Sequence, residues 1–356
     1  MEDIPISVVV AAAGFIAGLV LGATAQRTNF CTMGAISDAM MIGDFRRLRA
    51  WLLAIAVALL GSQALHSAGI VDLDKSIYLT ANFGWLGAIV GGALFGFGMT
   101  LAGGCGYRNL VRLGAGNLKS LVLVMVLGIV AYMTLRGLLA LVRVGLIEPT
   151  NIDLSGTGRP GSQGIVELIA AAFGADPESL RWIVVGVVAA VFLWFVFKDA
   201  AFRVSPRNIA AGFVLGLVVP AGWWITGSLG ADDFDPTPLA SFTFIAPVAD
   251  GLQYLMTFTG ATISFGIASV AGVIVGALLS ALAFREFRIE SFTDAVDFRR
   301  YLVAGALMGF GGVLALGCTI GQGVTGMSTL ALGSLLAWLS IIGGCVGGLK
   351  YLENRG

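Results

Sequence analysis

Nine runs of about twenty apolar residues are spaced along the chain, at roughly 5–25, 48–69, 83–103, 118–142, 181–198, 208–227, 261–284, 300–317 and 328–349. About 20 such residues, wound as a helix, cross the hydrocarbon core of a bilayer. Backbone in lipid must satisfy its own hydrogen bonds, so only helices and closed barrels can span it. Unbroken apolar runs of this length predict an all-α integral membrane protein with about nine transmembrane helices. Charged residues make up only 12% of the chain, about half the share of a soluble domain, and mean hydropathy is +0.92. The opening Met1-Glu2-Asp3-Ile4 lacks the basic stretch of a signal peptide, so the first run is expected to be retained.

Basic residues orient the runs, because cytoplasmic loops carry an excess of Lys and Arg. Segments 26–49, 104–119, 198–207 and 285–300, with the tail after 349, hold sixteen of the 21 basic residues. The other side holds Lys75, Arg143, Arg159 and Arg181. This predicts an N-terminus outside, a C-terminus in the cytoplasm, and a multi-pass protein of a bacterial inner membrane.

The chain also repeats itself. Gly96-Phe97-Gly98-Met99-Thr100-Leu101-Ala102-Gly103-Gly104-Cys105 has a near copy at Gly309-Phe310-Gly311-Gly312-Val313-Leu314-Ala315-Leu316-Gly317-Cys318. A weaker pair is Gly14-Phe15-Ile16-Ala17-Gly18 with Gly212-Phe213-Val214-Leu215-Gly216. Spans one to four then map onto six to nine. The reading is a 4+1+4 repeat: 1–145 the first copy, 146–207 a connector with span five, 208–356 the second copy. An odd connector inverts the second copy. Inverted repeats in transporters place the pathway between the halves, near the midplane.

Three segments are apolar but too short to span: 30–42, 105–117 and 318–327. They are expected to be re-entrant pieces, with an interfacial helix as the alternative for the first. The outer segments 143–180 and 228–260, richer in acid and proline, read as solvated loops or lids. Trp223 and Trp224 fit an interfacial belt, and His66 a structural role.

Each copy of the motif ends in Gly-Cys, so a thiol sits where an apolar helix breaks. Cys31, Cys105 and Cys318 are the candidate site. Gln26, Arg27, Thr28 and Asn29 precede Cys31. Arg108, Asn109 and Arg112 follow Cys105, and Thr319, Gln322, Thr325 and Ser328 follow Cys318. Cys345 lies within span nine and reads as a small core hydrophobe. Four cysteines with one histidine give neither a disulfide framework nor a zinc site. No nucleotide or other cofactor motif is present, and no cofactor is expected. A neutral thiol is a weak donor on a soft, polarizable sulfur, and apolar burial disfavours its thiolate. A row of S–H groups suits a soft sulfur anion better than sulfate or phosphate; thiolates would repel either.

The motifs Arg27-x-x-Phe30-Cys31, Gly103-Gly104-Cys105-x-x-Arg108-Asn109-Leu110 and Gly317-Cys318-x-x-Gly321-x-Gly323-x-Thr325-Gly326-x-Ser328 resemble those of the YeeE/YedE sulfur-transport family. The resemblance covers essentially the whole chain. It implies an hourglass-shaped membrane protein that imports thiosulfate along thiols at Cys31, Cys105 and Cys318. Arg27, Asn29, Arg108, Asn109, Gln322, Thr325 and Ser328 are then neighbours of the path. It also implies a small cytoplasmic TusA-like sulfur carrier as recipient. Two other readings stay open: a membrane sulfurtransferase-like enzyme that leaves a cysteine persulfide, and a transporter of a selenium compound. An ion channel would normally need intramembrane carboxylates, and these spans have almost none.

Overall fold

A computed structural model describes residues 5–156, 161–232 and 237–354. Thirteen helices organise them: α1 Ile6–Thr28, α2 Thr32–Met41, α3 Arg46–Ser67, α4 Trp85–Leu101, α5 Gly106–Gly114, α6 Leu118–Arg136, α7 Ile165–Phe173, α8 Pro177–Phe197, α9 Pro206–Trp224, α10 Ile245–Met256, α11 Phe265–Ala283, α12 Ala295–Leu314 and α13 Leu332–Glu353. The only sheet among the described residues is a two-residue pairing of Asn82–Phe83 with Ile152–Asp153. The protein is an all-α integral membrane protein, with eight helical segments among the described residues long and apolar enough to cross a bilayer. A ninth long helix, α12, carries Asp297, Arg299 and Arg300 in its first turns. Those charges lower its hydropathy, and the Asp297 carboxylate accepts from Lys119 Nζ at the start of α6, at 2.6 Å.

Local chemistry sets several helix starts. Asn117, Asp176, Ser264 and Asp294 each cap a helix by accepting a backbone N–H, which satisfies a donor the helix cannot. Arg49 closes the far end of α8, donating to Phe195 O at 2.5 Å and pairing with Asp199 at 3.2 Å. Large apolar side chains such as Ile16, Val187 and Leu217 lie exposed on the outside of the bundle, where lipid tails replace water.

Helix pairs recur in the two halves. α1 packs on α11, and α9 on α3; α4 packs on α13, and α12 on α6; α4 and α12 cross each other. Small residues let backbones approach in lipid, where no hydrophobic force separates helix from tail. At Gly22 an added Cβ would lie 2.1 Å from Val273 O, and at Gly272 it would lie 2.2 Å from Phe15 O.

Two expectations require correction. Segments 143–180 and 228–260 are not simply solvated. Residues 163–165 and 330–332 exchange backbone hydrogen bonds, so the connector clamps the end of the 318–330 segment. α10 buries Ile245, Pro247, Val248 and Ala249 and packs on α6 and α11. Asp250 and Pro247 disguise it as a loop in the sequence. Its neighbours Asp233 and Asp235 lie outside the described residues. Trp223 is fully buried rather than interfacial and donates to Ser328 Oγ at 3.3 Å, whereas Trp224 is exposed. His66 is structural: Nδ1 meets the backbone of Val71 and Leu73.

The close approach of α1 and α11 yields a direct expectation. Gly22→Val forces the two backbones apart, at an overpacking cost of about 1–3 kcal/mol or more. The yield of monodisperse protein from membranes should fall several-fold, read by size-exclusion chromatography. Gly343→Ala, with nothing within 4 Å of the new Cβ, should extract like the parent.

Candidate functional site

Three breaks in helices create the site. α4 stops at Leu101, Gly103 turns through φ +65°, and Gly104 N bonds back to Met99 O at 2.9 Å. Cys105 follows with extended backbone and opens α5. In the second half Gly317 N bonds to Gly312 O at 2.8 Å, with the same spacing, and Cys318 follows. Here Leu316 takes the left-handed position, at φ +56°. A side chain in that region costs roughly 1–2 kcal/mol, so the turn is held by its surroundings. Beyond Cys318 the chain winds into a π-helical turn, Gly321–Gly326, buried along its whole length. The third break is at Asn29, φ +53°, after which Cys31 opens α2.

The breaks bring the candidate thiols together. Cys105 and Cys318 are 0% exposed and Cys31 is 4% exposed. All are free thiols. The side chains of Cys31 and Cys105 lie against each other, and the Thr319 side chain meets Cys105 from the other half. Cys318 Sγ accepts from Gly321 N at 3.4 Å and also meets the side chain of Thr243. Thr243 in turn meets the phenol of Tyr78. The result is a buried polar line, Cys31, Cys105, Thr319, Cys318, Thr243 and Tyr78, through an otherwise apolar core.

Several polar atoms on this line and around the π-helical turn beside it are unfinished. Thr319 Oγ1, Thr243 Oγ1, Gln322 Oε1, Ser334 Oγ and Trp338 Nε1 are buried without a well-directed hydrogen bond. Each such group costs about 1–3 kcal/mol, and native proteins keep few. The two threonine hydroxyls touch neighbouring thiols but have no acceptor or donor in line with them.

The other candidates divide by what holds them. Arg108 donates to Ala25 O at 3.1 Å and to Asn29 Oδ1, so both sit at the Cys31 end of the line. Arg47 fixes the same asparagine through its carbonyl and pairs with Asp38 at 2.9 Å. Arg27 turns away, paired with Glu286 at 2.9 Å and stacked on Phe284. Asn109 braces the break, donating at 3.0 Å to both Gly104 O and Cys105 O. Thr325 and Ser328 are also framework groups, donating to Phe242 O and Thr325 O. Gln322 donates to Ala315 O and leaves its oxygen free. Cys345 lies apart in the α4–α13 contact, 3.4 Å from Thr100 Oγ1. Among the described residues no cluster of His, Cys, Asp or Glu could hold a metal ion.

The two ends of the line differ. At the Cys318 end Tyr78, Gln163, Gln322 and Ser334 close around about 20 Å³, room for a single water. At the Cys31 end Arg108, Arg112, Lys119 and Arg288, with Glu286 and Glu290, surround an open vestibule of about 360 Å³. Tyr78 and Thr243 were absent from the sequence-based set. Neither belongs to a repeated motif, and only the fold carries them to Cys318.

A family model described as "Sulphur transport" matches residues 27–347. Among curated proteins, the chain is 29% identical over 350 residues to a thiosulfate transporter, TsuA, of Escherichia coli K12, covering 93% of this chain and 89% of that protein. It is 26% identical over 340 residues to a thiosulfate transporter, TsuA, of Spirochaeta thermophila, covering 92% and 95%.

The burial of all four thiols predicts their reactivity. A bulky, membrane-impermeant maleimide should label none of them within minutes in the resting protein, from either side. Denaturation should release all four. Fast labelling of Cys318 would show that the closure around Tyr78 and Gln322 is not the resting state.

Proposed function

The chain belongs to the sulphur transport family, and from that premise we propose that it imports thiosulfate into the cytoplasm, passing the anion from Cys318 to Cys105 to Cys31. The two relatives named as thiosulfate transporters support the substrate. The observation that carries the route is the contact of the Cys31 and Cys105 side chains, with Thr319 and Cys318 continuing the line. Each S–H group donates to the terminal sulfur of the anion and then releases it to the next. No covalent bond forms, so the substrate leaves intact.

Several finer features follow from the same reading. The N-terminus lies outside and the C-terminus in the cytoplasm of a bacterial inner membrane, which puts the arginine-lined vestibule inside. There Arg108 and Arg112 draw the anion off Cys31 by charge. A small TusA-like sulfur carrier receives it on the cytoplasmic face. The two halves are inverted repeats, a reading supported by the matched helix pairs α1–α11 with α9–α3, α4–α13 with α12–α6, and α2–α3 with α10–α11. Passage requires the outer closure to open, since its volume holds one water and not an anion.

Uptake into sealed vesicles of thiosulfate labelled separately at each sulfur tests the reading. Both labels should arrive together and at equal rates. Retention of one label on the protein would assign persulfide chemistry instead.

Replacement of the thiols gives a graded expectation. Cys105→Ala should cut initial uptake about ten- to hundred-fold at equal protein in the membrane, as loss of a buried donor to an anion implies. Cys345→Ala, which exchanges one small apolar group for another, should transport like the parent. Equimolar sulfate, which lacks a terminal sulfur, should compete weakly. Wild-type uptake by Cys105→Ala would remove the thiols from the mechanism.

A further inference from the structure

Three thiols do not complete the line. Thr319 is 0% exposed and lies against Cys105, and its hydroxyl makes no well-directed hydrogen bond. The Thr243 hydroxyl is buried between Cys318 and the Tyr78 phenol and likewise makes no well-directed hydrogen bond. We propose that these two hydroxyls are substrate-binding groups, each working with the adjacent thiol: Thr319 with Cys105, and Thr243 with Cys318. The proposal rests on the transport reading above and deepens it.

The placement of Thr243 follows from the fold. Under the exchange of halves, α10 takes the position of α2, and α2 and α10 contact corresponding helices. Cys31 caps α2 and touches Cys105. Thr243 stands one residue before the cap of α10 and touches Cys318, the counterpart of Cys105. The outer half therefore offers a hydroxyl where the inner half offers a thiol. The space is kept open by Gly321, whose added Cβ would lie 2.5 Å from Thr243 Oγ1. Thr319 has a different origin: it follows Cys318 in the chain but reaches across to Cys105, linking the two halves at the centre.

Chemistry assigns the two kinds of donor. The ligand class is an anion with a soft sulfur at one end and a sulfonate group at the other. A thiol is the better match for the terminal sulfur. A hydroxyl is a stronger, harder donor and matches the sulfonate oxygens. Paired in this way, the line recognises both ends at once. Sulfate offers no soft end, and hydrosulfide offers no oxygens. These hydroxyls are then not defects: each waits for an acceptor that the anion brings.

The test uses full-length protein reconstituted in liposomes, with labelled thiosulfate as probe. Thr319→Val and Thr243→Val keep the shape and remove the hydroxyl. Thr319→Val should lower kcat/KM for uptake about tenfold or more, and Thr243→Val about three- to tenfold. Thr→Ser at each site should stay within about threefold of the parent. Because neither hydroxyl makes a well-directed hydrogen bond in the protein, the Val variants should unfold in detergent at the same temperature as the parent or above it. Lower transport with undiminished thermal stability supports the proposal. Parent-like uptake by both Val variants overturns it, and so does loss of uptake together with a lowered unfolding temperature, which would assign the hydroxyls to the framework. Failure of the parent protein itself to take up thiosulfate would instead defeat the transport reading.

Discussion

Every break in a membrane helix frees backbone groups that lipid cannot satisfy, and this protein is built around three of them. At Gly104 and Gly317 the freed groups are recovered by a hydrogen bond reaching five residues back. Asn109 adds its side chain to the first break, and the π-helical turn after Cys318 recovers the carbonyl of the second. The cost is a strained Leu316 and a set of glycines that tolerate no side chain. What is gained is a buried thiol at each break, with Cys31 against Cys105 and Thr319 joining Cys105 to the second half. Remove the breaks and the cysteines become ordinary core residues like Cys345.

The polarity of the line distinguishes transport from its alternatives. An enzyme that split the sulfur–sulfur bond would need a base beside its nucleophile. The side chains meeting Cys105 and Cys318 are a thiol and hydroxyls. The arginine beside the line, Arg108, lies at its Cys31 end. A cation pathway would need carboxylates at depth, and the residues of this line carry none. In the proposed route, donors followed by a basic vestibule make a gradient that an anion can descend without being held. Binding strong enough to admit the anion and weak enough to release it is the condition for passage through sequential sites.

Much of this was legible in the sequence. The apolar runs placed the long helices to within a few residues, because hydropathy at this length has one physical meaning. The Gly-Cys repeat identified Cys105 and Cys318, and the shorter apolar segment marked the break at Cys31. What the sequence concealed was tertiary. α10 carries Pro247 and Asp250 and looks like loop, yet it buries one face and delivers Thr243 to Cys318. Trp223 looks interfacial, but its indole N–H supports Ser328 in the core. Arg27 is near Cys31 in sequence, but Glu286 and Phe284 of a distant segment hold it away. Conversely, Asn109, Thr325 and Ser328 sit in the right motifs and spend their hydrogen bonds on the framework. Motif membership alone cannot separate a ligand from the scaffold that positions it.

The central claim is that the anion binds intact, by hydrogen bonds alone, on the line between Cys105 and Cys318. A structure with selenosulfate, in which selenium replaces the terminal sulfur, tests it most directly through anomalous scattering at the selenium edge. The account predicts one selenium peak within hydrogen-bonding distance of those thiols, with the sulfonate oxygens on the Thr319 or Thr243 side. A peak confined to the arginine vestibule, or one at covalent distance from a cysteine sulfur, would contradict it.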